Sequence, residues 1–188
     1  MSKTVLAVAC ALALAGAARA DEPKKDAAAP QGMPPLPKPG PEQQLFRDDA
    51  GTWDAKVESM MPPMTSQGTE TNVLSCSGLC LVTDFKGEFG GMPFEGHGTS
   101  VYDSVKKKYV GTWADSMSTG LSISESTWDA KTRTMTGWME GPDMTGKVSR
   151  MRSTVEYKTD GTRVFTMYMP GPDGKETAGM RITYTKRK

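Results

Sequence analysis

From Thr52 onward, apolar and polar positions alternate with a period of two. Trp53, Ala55 and Val57 interleave with Asp54, Lys56 and Glu58, the pattern of a strand buried on one face and solvated on the other. Ile182 and Tyr184 interleave with Arg181, Thr183 and Thr185 in the same way, whereas 164–169 is apolar on both faces. Turn residues punctuate these runs: Asp103–Ser104–Val105–Lys106–Lys107, Asp129–Ala130–Lys131–Thr132, Gly141–Pro142–Asp143, Thr159–Asp160–Gly161–Thr162 and Gly171–Pro172–Asp173–Gly174. The Asp-Gly pairs at 160–161 and 173–174 are hairpin signals. The pattern predicts about nine or ten strands, near 52–60, 67–76, 80–89, 94–103, 108–114, 119–128, 133–140, 146–158, 162–169 and 176–186.

No run with helical period separates these strands, so neighbours pair antiparallel. A meander of this length hides its edges most simply by closing into an up-and-down barrel, with a two-sheet sandwich as the alternative. Gly-Thr-Trp at 51–53 and 111–113 and Ser-Thr-Trp-Asp-Ala at 126–130 recur at irregular spacing, which is not a solenoid repeat. Ahead of the strands, Pro41–Gly51 reads as one short helix, opened by Pro41 and ended by Gly51. The 21–40 segment is rich in proline, among them Pro34, Pro35, Pro37 and Pro39, and reads as a disordered, extended linker. The domain plan is therefore a leader at 1–20, the linker at 21–40 and one barrel domain at 41–188.

The leader has Lys3 ahead of an apolar Ala/Leu/Val run, followed by Gly16–Ala17–Ala18–Arg19–Ala20. A basic start, an apolar stretch of about a dozen residues and a small-residue cleavage site define a secretory signal peptide, cleaved after Ala20. Spanning a bilayer takes roughly 20 apolar residues, so no membrane span is expected after cleavage. The expected location is periplasmic or fully secreted. Cys10 lies within the apolar run and leaves with the peptide.

Cleavage removes Lys3 and Arg19 and no acid. The balance moves from 23 basic and 22 acidic groups to 21 and 22, a net charge of −1. A near-neutral chain offers no electrostatic case for nucleic acid as a partner. No oligomeric state follows from the composition. The two remaining cysteines are Cys76 and Cys80, and outside the cytoplasm their simplest state is a disulfide. Four extended residues would span about 13 Å, whereas a disulfide tolerates a Cα separation up to about 7 Å. The bond therefore requires a tight reversal through Ser77–Gly78–Leu79. A redox-active or metal-binding pair is the alternative; the spacing is not Cys-x-x-Cys, and a single histidine leaves few partners for a zinc site.

Several segments carry a family likeness: Pro39–Gly40–Pro41–Glu42, Gly51–Thr52–Trp53–Asp54, Gly68–Thr69–Glu70–Thr71–Asn72, Gly91–Met92–Pro93–Phe94–Glu95–Gly96 and Gly111–Thr112–Trp113–Ala114–Asp115–Ser116–Met117. Met167–Tyr168–Met169–Pro170–Gly171–Pro172–Asp173–Gly174–Lys175–Glu176 and Ile182–Thr183–Tyr184–Thr185 extend it. From about Pro39 to the C-terminus the chain resembles the uncharacterised bacterial family known as domain of unknown function 1579. The resemblance implies a calycin-like barrel, the architecture of lipocalins and fatty-acid-binding proteins. It brings no established activity and no catalytic residues.

Candidate chemistry is sparse. The chain has no Gly-x-Ser-x-Gly elbow, His-Glu-x-x-His helix, phosphate loop or Rossmann glycine pattern. Any neutral-pH base must be His97, the single histidine, in Glu95–Gly96–His97–Gly98–Thr99. Its plainer reading is an ordinary strand histidine, with haem ligation as a further alternative. Met60–Met61–Pro62–Pro63–Met64 with Cys76 and Cys80 could offer soft ligands to Cu(I). Methionines at strand spacing fill irregular core space more simply. The four tryptophans, Trp53, Trp113, Trp128 and Trp138, are expected to pack the barrel.

The leading expectation is non-enzymatic binding of a small apolar molecule inside the barrel, with Trp113, Tyr102 and His97 as candidate contacts. No cofactor, catalytic residue or metal ligand is assigned, and the reading leans away from an enzyme. The alternatives are an enzyme on a hydrophobic substrate with His97 as base, and a copper-type metal or redox protein using the cysteines and methionines.

Overall fold

The computed structural model of the protein describes residues 32, 34–60, 62–143, 145–170 and 174–188. The expected signal peptide, the linker through Gln31, Met61 and the turn at 171–173 lie outside them. Ten antiparallel strands close into one barrel: β1 (Gly51–Met60), β2 (Pro63–Ser75), β3 (Cys80–Phe89), β4 (Met92–Asp103), β5 (Lys108–Asp115), β6 (Ser122–Asp129), β7 (Thr134–Pro142), β8 (Val148–Tyr157), β9 (Arg163–Pro170) and β10 (Glu176–Lys186). Each strand pairs with its neighbours in sequence, and β1 closes the ring against β10 through Ala55 opposite Tyr184 and Val57 opposite Ile182. Closure leaves no free edge, which decides for the up-and-down barrel over the sandwich. The alternation of β1 becomes burial directly: Trp53, Ala55, Val57 and Ser59 are buried, and Asp54 and Lys56 face solvent.

The expected helix divides into a 3-10 turn at Pro41–Gln43 and α1 (Gln44–Asp49). Its amphipathic face sets Leu45 and Phe46 across the barrel end that carries the β2–β3, β4–β5, β6–β7 and β8–β9 turns. There they pack with Leu81 and Tyr109, and with Tyr102, Trp128, Met135 and Tyr157 around them. A second cluster unites Trp53, Ala55, Val57, Phe85, Ile182 and Tyr184, with Phe94, Trp113, Phe165 and Met180 against it. Trp128 meets Tyr157 edge to face at 5.3 Å, and Phe46 meets Tyr109 at 5.8 Å.

Cys76 and Cys80 form a disulfide with a Cα separation of 5.5 Å. The reversal it requires is left-handed, with φ of 52° at Cys76, 57° at Ser77 and 85° at Gly78. Only the glycine adopts such backbone freely. Trp138 departs from the expectation that all four tryptophans pack the interior: it is 42 % exposed on the outer surface, under the Arg150 guanidinium at 5.1 Å. The period of two dictates this, because its neighbours Gly137 and Met139 share the inward face. No helix among the described residues is long and apolar enough to cross a membrane.

Candidate functional site

The barrel interior is filled unevenly. Bulky side chains from β1, β3, β9 and β10 occupy one side, while β4 to β8 turn small residues inward between the aromatic residues they carry nearer the barrel ends. Ser100, Gly111 and Ser124 lie opposite one another across β4, β5 and β6. Ser126, Gly137 and Ser153 do the same across β6, β7 and β8. These two rows line a cavity of about 200 Å³. The rest of its lining includes apolar Leu81, Val155 and Phe165 and polar Glu70, Asn72, Thr83 and Arg163, with Leu45 and Phe46 of the plug. At Gly111 the hollow is shaped by the missing side chain: a Cβ there would sit 2.8 Å from Ser124 Oγ and 3.3 Å from Ser100 Oγ.

Beside this wall lies a buried polar cluster whose hydrogen-bonded members come from five elements, α1, β2, β3, β8 and β9. Arg163, at the start of β9, is 6 % exposed. Its Nη1 lies 3.0 Å from Asp49 Oδ2 at the end of α1, and its Nη2 donates to Glu70 Oε1 of β2 at 2.5 Å. The guanidinium stacks 4.6 Å from the Trp53 ring and 4.4 Å from the Tyr184 ring. Tyr157 donates its hydroxyl to Asp49 Oδ2 at 2.9 Å. Asn72 donates to Glu70 at 2.6 Å, and Thr83 donates to Asn72 at 2.6 Å. Asp49 Oδ1 and Arg163 Nε have no partner among the described residues.

Two carboxylates therefore share one cation away from water, and the surplus negative charge must be relieved. Burial raises the Asp49 carboxyl above its ordinary range, against the opposing pull of Arg163 and of the Tyr157 hydrogen bond. Burial also works against charge on Arg163, yet Asp49 and Glu70 hold it firmly protonated. Burial, reinforced by the neighbouring carboxylates, pushes the phenols of Tyr157 and Tyr184 well up. Tyr109, whose hydroxyl donates to the Glu42 carbonyl at 2.9 Å, is pushed up to about 12, chiefly by burial. The cluster also fixes the plug, since Trp53 Nε1 donates to the Asp49 carbonyl at 2.8 Å.

The sequence-derived candidates are not brought together. Tyr102 faces inward and packs edge to face on Tyr109 at 5.1 Å. Trp113 faces inward against the other apolar cluster, its Nε1 donating to Asp115 Oδ2 at 3.0 Å. Neither ring forms the cavity wall. His97 lies on the outer face of β4, its side chain 60 % exposed and its Nδ1 2.8 Å from Asp84 Oδ1. Cys76 and Cys80 are joined to each other, so neither is a free thiolate. Among the described residues, no three His, Cys, Asp or Glu side chains converge as metal ligands.

What the sequence reading missed are the serines, Glu70, Arg163 and Asp49. The serines carried a signal: in Ser122–Ile123–Ser124–Glu125–Ser126 the small polar residue occupies every inward position, and Ile123 is 44 % exposed. That inverts the usual apolar-in pattern. The ion cluster carried none, because Glu70 and Arg163 stand 93 residues apart.

The fold and its interior define a closed ten-stranded antiparallel barrel with a cavity bordered by β4 to β8 and by α1. The chain belongs to the family described as protein of unknown function (DUF1579), which matches residues 38–186. No curated protein sequence matches it. Among solved structures it is similar to Rv2717c from M. tuberculosis, with a TM-score of 0.60 at 12% identity, over 79% of this chain and 99% of that one. At that identity the likeness speaks for the barrel alone. A redesigned beta barrel matches with a TM-score of 0.41 at 14% identity, over 76% of this chain and 95% of that one.

Proposed function

We propose that the protein binds a small, largely apolar molecule inside its barrel and acts outside the cytoplasm after cleavage behind Ala20. The observation that carries the binding reading is the cavity of about 200 Å³ beneath Leu45 and Phe46. A cavity of about 150 Å³ admits benzene in another protein, so this volume suits a single ring with a few substituents. Small-molecule sites are ordinarily concave, mostly apolar and furnished with a few polar groups, and Leu81, Val155 and Phe165 supply the apolar part. Export is supported by the leader pattern and is compatible with the Cys76–Cys80 disulfide.

The test compares native and denaturing mass of protein recovered from the periplasm. A native excess lost on denaturation, and absent from a Ser153→Leu variant that fills the cavity, is the expected result. A native mass equal to residues 21–188 less two hydrogens, with no ring-sized molecule bound on addition, refutes the binding reading. A mass that retains residues 1–20 refutes export with cleavage. The enzyme and copper readings gain no support from the geometry, since His97 faces outward and the cysteines are paired.

A further inference from the structure

A cavity meant only for hydrocarbon would be lined by hydrocarbon, and this one is not. Ser100, Ser124, Ser126 and Ser153 all line it, each half-buried, and no hydrogen bond joins their hydroxyls to another of the described residues. A hydroxyl that faces a chamber without a protein partner keeps its hydrogen-bonding capacity for whatever occupies that chamber, water or a ligand. A strand serine has an easy alternative in an apolar residue of similar size, and β6 instead places serine at three of its four inward positions, 122, 124 and 126, with Trp128 at the fourth. Two of the hydroxyls converge, since Ser100 Oγ and Ser124 Oγ both lie over the bare Cα of Gly111. The rest of the lining sets apolar Leu81, Val155 and Phe165 among the polar groups of Asn72, Thr83 and the Asp49–Arg163–Glu70 cluster.

Resting on the binding reading above, we infer that the ligand is a compact neutral ring molecule bearing two or more hydroxyl or carbonyl groups along one edge. That edge lies against the serines of β4, β6 and β8, and its apolar face lies against Phe165 and Leu81. Neutrality follows from the wall itself. The serines carry no charge, and the charged residues that also line the cavity, Asp49, Glu70 and Arg163, are paired with one another through the two Arg163 Nη atoms. Among the described residues this leaves only Arg163 Nε and Asp49 Oδ1 of the cluster unpartnered, one donor against one oxygen. A hydroxyl serves both as donor and as acceptor, so a serine wall takes alcohols and carbonyls alike and discriminates against plain hydrocarbon.

The test is titration calorimetry of the intact protein with size-matched rings: toluene and cyclohexane on one side, resorcinol and cis-1,2-cyclohexanediol on the other. The expected result is at least tenfold tighter binding of the diols. The double variant Ser124→Ala, Ser126→Ala brings diols and hydrocarbons within about threefold of each other and leaves toluene as tight or tighter. Equal or tighter binding of toluene by the unaltered protein overturns the inference while leaving barrel binding intact. A diol preference that survives the double variant also overturns it, by placing recognition away from the serine wall. Binding of none of the four overturns the binding reading and this inference with it.

Discussion

Replacing Arg163 by Met removes the one cation between Asp49 and Glu70 while keeping a stem of similar length. Both carboxyls remain where they were, with Asp49 and Glu70 respectively 8 % and 7 % exposed, and the stacking on Trp53 and Tyr184 is lost as well. Removing one partner of a buried ion cluster costs about 3–5 kcal/mol. The ceiling is set by proton uptake. A carboxyl of ordinary pKa near 3.9 can neutralise itself at pH 7 for about 4 kcal/mol, at about 1.36 kcal/mol for each pH unit. The carboxyls of the variant therefore have raised folded pKa values. Stability that depends on holding those protons is fully present below the unfolded pKa and is lost as pH rises through the folded one. Urea unfolding followed by tryptophan fluorescence should show a loss of about 3–5 kcal/mol at pH 7 that shrinks to about 1 kcal/mol by pH 4. Adding Asp49→Asn and Glu70→Gln to Arg163→Met should recover most of it at pH 7. A loss under about 1 kcal/mol at pH 7, or one that stays constant between pH 4 and 7, would refute the assignment of a buried, charge-sharing cluster.

Three further outcomes are expected. Asp49→Asn removes the buried carboxyl whose pKa is raised by desolvation; since the folded wild type keeps that proton longer than the unfolded chain does, the stability gap should move toward the variant as pH rises above about 4, by up to about 1.4 kcal/mol per unit, and level off once the folded pKa is passed. Urea midpoints between pH 3.5 and 8 read this, and a flat gap would sink it. Ser77→Gly relieves a left-handed residue at φ 57° and should stabilise by about 1 kcal/mol; a thermal melt with no upward shift would count against strain in that turn. Phe46→Ala, from a residue 3 % exposed, should cost about 3–5 kcal/mol; a loss below about 1 kcal/mol in urea unfolding would mean that α1 does not plug the barrel.

How far these features could be read in advance depends on how local their cause is. β1 and β10 were legible because alternation is a two-residue rule, and with the turn signals it pointed to nine or ten strands in an antiparallel meander, which the structure resolves as ten in a closed barrel. The disulfide turn was legible for the same reason, since a four-residue separation constrains the backbone whatever surrounds it. In Glu95–Gly96–His97–Gly98 the histidine is the residue with evident chemistry, while the glycines are the ones that shape the interior. The histidine faces out to Asp84, whereas a Cβ on Gly96 would lie 2.1 Å from the Trp113 ring and one on Gly98 would lie 3.0 Å from it. Those glycines exist to receive an indole from the next strand, and the indole, held there, packs on the apolar cluster instead of lining the cavity.

The candidate site was hidden for a related reason. Strand patterning looks for apolar residues inside, so a strand that turns serine inward registers as weak or edge-like rather than as the wall of a chamber. The information was present in the mismatch itself: Ile123 and Trp138 are exposed on the very strands whose inward positions, Trp128 apart, are serine, glycine and methionine. An inverted strand is stable only if the rest of the barrel supplies the apolar burial it forgoes, which Trp53, Phe85, Ile182 and Tyr184 do from the opposite side. Large residues on four strands, and serine and glycine at the middle inward positions of five others, thus leave the barrel hollow beside β4 to β8. The Asp49–Arg163–Glu70 cluster ties the plug to the heavy side. Its charges stabilise closure, and the partnerless hydroxyls are left on the light side, where a bound molecule has room.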